Sequence, residues 1–162
     1  MGVKELLVWL FVIDLGIAFG AGLYERRMVI PEWFVGTPGP HLRVDREAMR
    51  RTDPGRKFWG FVTTLPLSLL TIASLVTAGR SQGALRTWLL AAGLITLLER
   101  IGTFSYFIPT ALRLMREGPG ALSESRSSAI ASQWIRMNWV RAALALTGWL
   151  AALKALSLGT LS

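Results

Sequence analysis

The sequence predicts an all-α integral membrane protein, a four-helix bundle, and three observations carry that prediction. Four segments of the 162-residue chain, Leu6 to Tyr24, Phe58 to Ala78, Thr87 to Leu112 and Trp139 to Ser157, are apolar over about the 20 residues needed to cross ~30 Å of hydrocarbon. Charged residues make up 17% of the chain but cluster between these segments, and mean hydropathy is +0.44, too apolar for an ordinary soluble domain of that charge. Thirteen cations lie in the first and third loops and four, Lys4, Arg80, Arg86 and Lys154, on the opposite side. By the positive-inside rule the long loops are cytoplasmic and both termini lie outside, giving a multi-pass protein of the plasma membrane. An alanine- and arginine-rich chain of this kind points to a bacterial inner membrane.

The elements follow in order within one membrane domain, residues 1–162. The first helix spans about 6–27. Lys4 before an apolar run and Ala18-Phe19-Gly20 have the outline of a signal peptide, but Asp14 interrupts the run and the apolar residues continue beyond it, so an uncleaved helix is expected. Residues 28–57 form an interfacial cytoplasmic loop, with Pro31 and Trp33 suited to that depth. Within it the turn-rich run 36–40 (GTPGP) precedes a short polar helix, Val44 to Thr52, stopped by Asp53-Pro54-Gly55. The second helix, about 58–78, carries Pro66 as a potential kink. A short second loop makes the third helix, about 87–115, its antiparallel neighbour. Glu117-Gly118-Pro119-Gly120 ends that helix, and polar residues from Ser123 lead into the fourth, about 134–157.

Helical periodicity separates a polar face on each span. Asp14, Ala18, Ala21 and Glu25 recur at spacings of four, three and four, as do Glu99, Thr103, Tyr106 and Thr110. Trp134, Asn138, Arg141, Ala145 and Gly148 share a face of the fourth helix, and Thr64, Ser68 and Thr71 make a weaker hydroxyl stripe whose groups are best satisfied by backbone carbonyls. Small residues at Gly16, Ala18, Gly20 and Gly22 would let helices approach closely. Asp14, Glu99 and Arg100 lie mid-span, where a charge costs at least ~2.5 to 3.5 kcal/mol and needs a partner, so Arg100 is expected to pair with Asp14 or Glu99. Such a pair either fixes helix register or serves a function. Glu25, Thr103, Tyr106, Trp134, Asn138 and Arg141 converge at one depth, which implies a polar pocket in the cytoplasmic half of the bundle.

Several function classes are excluded or unsupported. There is no cysteine, so disulfides and thiolate chemistry are absent. The +8 charge resides in loops, without the continuous basic face a nucleic-acid site requires. His41, the single histidine, is a solvated loop residue or a base folded over the pocket mouth; no paired Glu-x-x-His or His-x-x-x-His spacing supports a metal site. Glycine-rich phosphate loops and nucleophile elbows are missing, and no cofactor is expected.

Three stretches resemble a known family. They are Gly20-Ala21-Gly22-Leu23-Tyr24-Glu25 followed by Val29, Pro31 and Trp33; Phe104 to Met115 (FSYFIPTALRLM); and the W-x-R-x-N-x-x-R run of Trp134, Arg136, Asn138 and Arg141. Together they resemble the anthrone-oxygenase-like group of small four-helix membrane proteins. The resemblance implies oxidation of anthrones to anthraquinones by molecular oxygen without metal or flavin. It makes Glu25 or His41 the base and Arg141, Asn138 and Tyr106 the stabilisers of an enolate-like anion. The expected partners are the lipid bilayer and a lipophilic small molecule. The alternative is a non-catalytic lipid- or ligand-binding module, or an accessory subunit that meets a membrane-protein partner or a second copy of itself.

Overall fold

The computed structural model describes residues 2–39, 41–117 and 121–159. Four helices are long and apolar enough to cross a bilayer: α1 (Val3–Trp33), α3 (Gly55–Gly79), α4 (Gly83–Met115) and α5 (Glu124–Gly159). Between α1 and α3 come a two-residue antiparallel ribbon, β1 (Phe34–Val35) with β2 (Arg43–Val44), and the short helix α2 (Arg46–Thr52). Each long helix packs on its neighbours in sequence, and α5 closes the ring against α1. This up-down arrangement follows from the short α3–α4 connection. The outer faces carry Ile13, Ile17, Leu69, Ile72, Leu94, Leu98 and Leu150, all exposed, as a lipid-facing surface requires. The chain is a multi-pass membrane protein.

The helices are longer than the apolar spans alone indicate. α1 continues past Arg27 through Trp33, and α5 begins at Glu124, within the polar run from Ser123 expected to lead into the fourth helix. Of the break expected at Glu117-Gly118-Pro119-Gly120, only Glu117 lies within the described residues. The residues between the apolar spans build a second layer at that end of the bundle. Asp45 caps α2 by accepting the Ala48 amide at 2.9 Å, and Asp53 ends it in a left-handed conformation, φ 33°. Trp33 donates to the Thr52 hydroxyl at 2.7 Å, fastening α2 to the end of α1. Arg46 donates to the Leu122 carbonyl and to Ser127, the Gly39 amide donates to Ser132 at 2.9 Å, and Ser128 donates to the Gly39 carbonyl. The polar start of α5 thus holds the 36–54 connection. On the outer side Arg50 bridges both oxygens of Glu117, and that hydrogen bond holds the Glu117 carboxyl below its usual range.

Two packed clusters result. One, near the chain termini, joins Phe11, Leu15, Leu67, Leu89, Ala92 and Ala152; the other, at the loop end, joins Trp33, Phe34, Met49, Phe107, Leu114 and Trp134. Helix association in lipid gains little from the hydrophobic effect and depends on close packing. At Gly148 an added Cβ would lie 3.0 Å from the Thr96 hydroxyl, and at Gly16 it would lie 3.3 Å from the Trp149 ring. Gly20, expected to pack closely together with Gly16, and Gly22, expected to do so with Ala18, meet nothing within 4 Å. Gly20 faces outward, and Gly22 borders a cavity. The hydroxyls of Ser68 and Thr71 donate to the carbonyls of Thr64 and Leu67, as expected for buried hydroxyls on a helix.

Three of the long helices carry an interior proline, and each proline is preceded by a widened, π-type turn: Glu25–Val29 before Pro31, Gly55–Thr64 before Pro66, and Thr103–Phe107 before Pro109. The residue immediately before each proline donates five residues back, Ile30 to Glu25, Leu65 to Gly60 and Ile108 to Thr103. Proline lacks an amide hydrogen, and its ring crowds the carbonyl four residues earlier, here those of Arg27, Val62 and Ser105. A wider turn relieves that crowding and keeps the neighbouring amide bonded. The kink expected at Pro66 is therefore one instance of a device used three times.

Replacing Gly148 by Leu should overpack the α4–α5 interface and destabilise the bundle by about 1–3 kcal/mol. Gly20→Ala should instead be neutral or stabilising by about 0.4–1 kcal/mol. Reversible unfolding in mixed micelles of increasing SDS content measures both.

Candidate functional site

Between the two packed clusters the bundle encloses a cavity of about 380 Å³. That size lies within the range of small-molecule sites. Leu15 and Leu67 bound it toward the termini, and Trp33, Met49, Phe107 and Trp134 bound it toward the loops. All three widened turns contribute to the wall: Glu25 and Arg26 from the first, Trp59 and Gly60 from the second, Thr103 and Phe107 from the third. Gly22, one helical turn from Arg26, leaves space where a side chain would stand.

The central polar group is Glu25, whose residue is only 6% exposed. Its Oε1 accepts the Trp59 indole N–H at 2.8 Å, and its Oε2 faces Arg141 Nη2 at 3.4 Å. α1, α3 and α5 therefore meet at one carboxylate. The Arg141 guanidinium lies over the rings of Phe107, 4.9 Å away, and Trp59, 5.9 Å away. Such stacking suits a weakly hydrated planar cation. On α4, Glu99 takes Arg100 on one oxygen at 2.5 Å and accepts the Thr103 hydroxyl at 2.9 Å on the other. Asp53 and the exposed Arg56, paired at 2.7 Å, border the cavity on the loop side.

Of the residues singled out in the sequence, Glu25, Glu99, Arg100, Thr103, Trp134 and Arg141 all line the cavity. Four do not. Asn138 is fully buried, but its amide donates to the Trp134 carbonyl on its own helix at 3.0 Å. Tyr106 is half-buried beside Phe107, its hydroxyl buried without a partner among the described residues. His41 is exposed on the 36–44 connection and does not fold over the cavity. Asp14 is buried, yet neither of its oxygens has a partner among the described residues. Arg100 takes the adjacent Glu99 instead, which settles the choice between the two expected pairings. For Tyr106 the cause is the widened turn Thr103–Phe107 in which it lies, which shifts the helical phase so that a spacing extrapolated at 3.6 residues per turn drifts off the true face; Asn138 lies on the regular helix α5 and turns to a carbonyl of its own helix.

Sequence reasoning also missed two residues. Trp59, near the start of the apolar run of α3, is not singled out in the sequence; in the structure it is the hydrogen-bond donor to Glu25. Arg26 reads as a membrane anchor beside Arg27. Arg27 is exposed, but Arg26 is half-buried and lines the cavity, with its guanidinium 4.4 Å over the exposed ring of Trp139 and its Nε and Nη1 buried without partners among the described residues. The signal was available: Leu15, Phe19, Gly22 and Arg26 recur at four, three and four, and all line the cavity. No group of three or more His, Asp or Glu side chains is placed to hold a metal ion among the described residues.

Trp59→Phe keeps an aromatic ring but leaves Glu25 Oε1 without its donor, and should cost about 1–3 kcal/mol of stability. A double-mutant cycle with Glu25→Gln should return a coupling of at least about 0.5 kcal/mol. Additive effects of the two substitutions would mean that this hydrogen bond contributes nothing.

Comparison with known proteins adds the family. No curated protein and no solved structure matches the chain. The family model for anthrone oxygenase matches residues 56–151, from the second widened turn through most of α5 and so across Trp59, Thr103 and Arg141. The match extends over more than half of the sequence, and the chain belongs to the anthrone oxygenase family.

Proposed function

We propose that this protein is a membrane-embedded oxygenase that oxidises a lipophilic aromatic ketone of the anthrone class with molecular oxygen. The supporting observation is the buried Glu25 carboxylate on the wall of a largely apolar cavity, held by Trp59 and Arg141. Family membership supplies the reaction class, and the site supplies groups suited to it.

The chemistry requires little of the protein. The CH₂ group of an anthrone lies between two aromatic rings and para-conjugated to a ketone, so its proton is acidic for a carbon acid. Glu25 takes that proton, and the resulting carbanion spreads its charge onto the ketone oxygen. Arg141 stabilises this enolate-like oxygen, acting where charge develops in a site shielded from water. The electron-rich carbon then adds molecular oxygen, forming a C–O bond, and the peroxide takes up a proton. Loss of the remaining C–H proton to Glu25 cleaves the O–O bond, leaving a carbonyl, and the departing hydroxide is protonated to water. Carbon loses two hydrogens and gains one oxygen, dioxygen is fully reduced, and no further electron source enters. Thr103 and Trp134 line the cavity and orient the rings. The cation asymmetry supports an orientation with both termini outside and the loop end in the cytoplasm.

Incubating the protein in nanodiscs with anthrone under oxygen, and following quinone absorbance, tests this reading. Turnover should exceed the no-protein rate, and Glu25→Gln should lower kcat/KM by at least about a hundredfold. Arg141→Ala should lower it as well. An unchanged rate in the Glu25 variant sinks the assignment of the base. Ligand binding without turnover in the wild-type protein would favour the alternative, a non-catalytic ligand-binding module.

A further inference from the structure

The charged groups lining the cavity do not balance. Among the described residues its wall holds three carboxylates, Glu25, Asp53 and Glu99, and four guanidiniums, Arg26, Arg56, Arg100 and Arg141. Three ion pairs consume all the carboxylates: Glu25 with Arg141, Asp53 with Arg56, and Glu99 with Arg100. Arg26 is left with an aromatic face, that of Trp139, and with two buried N–H groups unpartnered. An arginine stays charged at any physiological pH. Its charge and its two buried, unpartnered donors, on the wall of the cavity, are suited to an anion that the protein itself does not provide.

We propose that Arg26 is an anion-recognition residue of this cavity, and that the ligand is a lipophilic aromatic molecule bearing an oxyanion, a carboxylate or a phenolate. The inference rests on the cavity's being the substrate site and adds the substrate's charge. Glu25 and Arg26 are consecutive residues in the widened turn of α1. A rigid aromatic ligand can therefore present its reacting carbon to one and its oxyanion to the other. The apolar walls of Leu15, Phe19 and Leu67 accommodate the rings.

Binding tests the proposal without requiring turnover. Purified protein in nanodiscs of zwitterionic lipid is titrated with 9-anthracenecarboxylate and with its neutral carboxamide, using quenching of tryptophan fluorescence. Wild-type protein should bind the carboxylate about tenfold more tightly than the amide, the equivalent of one charged hydrogen bond. Arg26→Ala should erase that preference, bringing the two affinities together, Arg26→Lys should retain part of it, and Arg27→Ala, at an exposed position, should retain all of it. A parallel titration with 2-anthrol above and below the ionisation of its phenol shows whether a phenolate is accepted as well as a carboxylate. Equal affinities of the wild type for the acid and the amide overturn the proposal without any variant, and so does a preference that survives Arg26→Ala. If that variant also loses the amide, the cavity itself has been disturbed, and Arg26→Gln, which retains length and polarity, makes the comparison. Failure of anthrone turnover with the anion preference intact removes the oxygenase reading alone. Turnover intact with no anion preference removes only the role of Arg26.

Discussion

A carboxylate in the middle of a helix bundle cannot be left to hydrocarbon, and the arrangement around Glu25 follows from that constraint. Desolvating an isolated carboxylate costs several kcal/mol even after relaxation, so partners must come from neighbouring helices. α3 brings an indole N–H and α5 a guanidinium, and both reach the same side chain of α1. Those two contacts set the relative depth of three helices more narrowly than apolar packing can, because leucines on lipid-embedded helices tolerate sliding. The second pair, Glu99 with Arg100, is internal to α4 and constrains no other helix. The two pairs differ in kind: one ties the bundle together across the cavity, the other neutralises a wall.

Proline explains why Glu25, Trp59 and Thr103 can meet there at all. In a regular helix each carbonyl is bonded to the amide four residues on, and side chains repeat along fixed faces. The three widened turns break that repeat at one level, upstream of Pro31, Pro66 and Pro109. Each enlarges the local radius of its helix and swings side chains inward that regular geometry would direct elsewhere. Widened turns of this kind recur at functional sites because they create such placements at the cost of weaker backbone bonding. The cavity between the two packed clusters lies where three of them coincide. Its space is a consequence of backbone geometry, reinforced by the absent side chain at Gly22.

How much of this could be read in the sequence depends on which physical signal was involved. The four spans, their order and their antiparallel packing follow from apolar length and loop length, which a bilayer enforces strongly. The bonding of Ser68 and Thr71 was legible for the same reason, since hydroxyls without water turn to their own helix. The Glu25 position was legible because Asp14, Ala18 and Ala21 precede the first widened turn and Glu25 is its first residue, so regular phase still holds there. Beyond such a turn the same arithmetic misplaced Tyr106. His41 was uncertain for another reason, because a loop has no period to extrapolate. Arg26 was misread by a general rule: cations at the end of an apolar span are usually anchors, and adjacent residues on a helix point about 100° apart, so Arg27 can obey the rule while Arg26 does not. The ribbon of Phe34–Val35 with Arg43–Val44 is two residues per strand, too short for any alternation to announce it.

Placing such a site within the membrane has a chemical consequence. On the proposed reading, a lipophilic aromatic ketone concentrates in the bilayer, as molecular oxygen does, so both reactants would be enriched near the cavity. Excluding water removes the competing proton donor that would quench a carbanion before oxygen reached it. It also strengthens every charge interaction in the cavity, because low dielectric magnifies the attraction of a guanidinium for a developing oxyanion. The same magnification makes an unpaired cation costly to hold while the site is empty, which the Trp139 ring under Arg26 partly offsets. An aromatic face attracts a cation yet leaves its N–H groups free for a stronger acceptor. Trp139 thus stabilises Arg26 without neutralising it, and an arriving oxyanion need not displace a carboxylate to reach it.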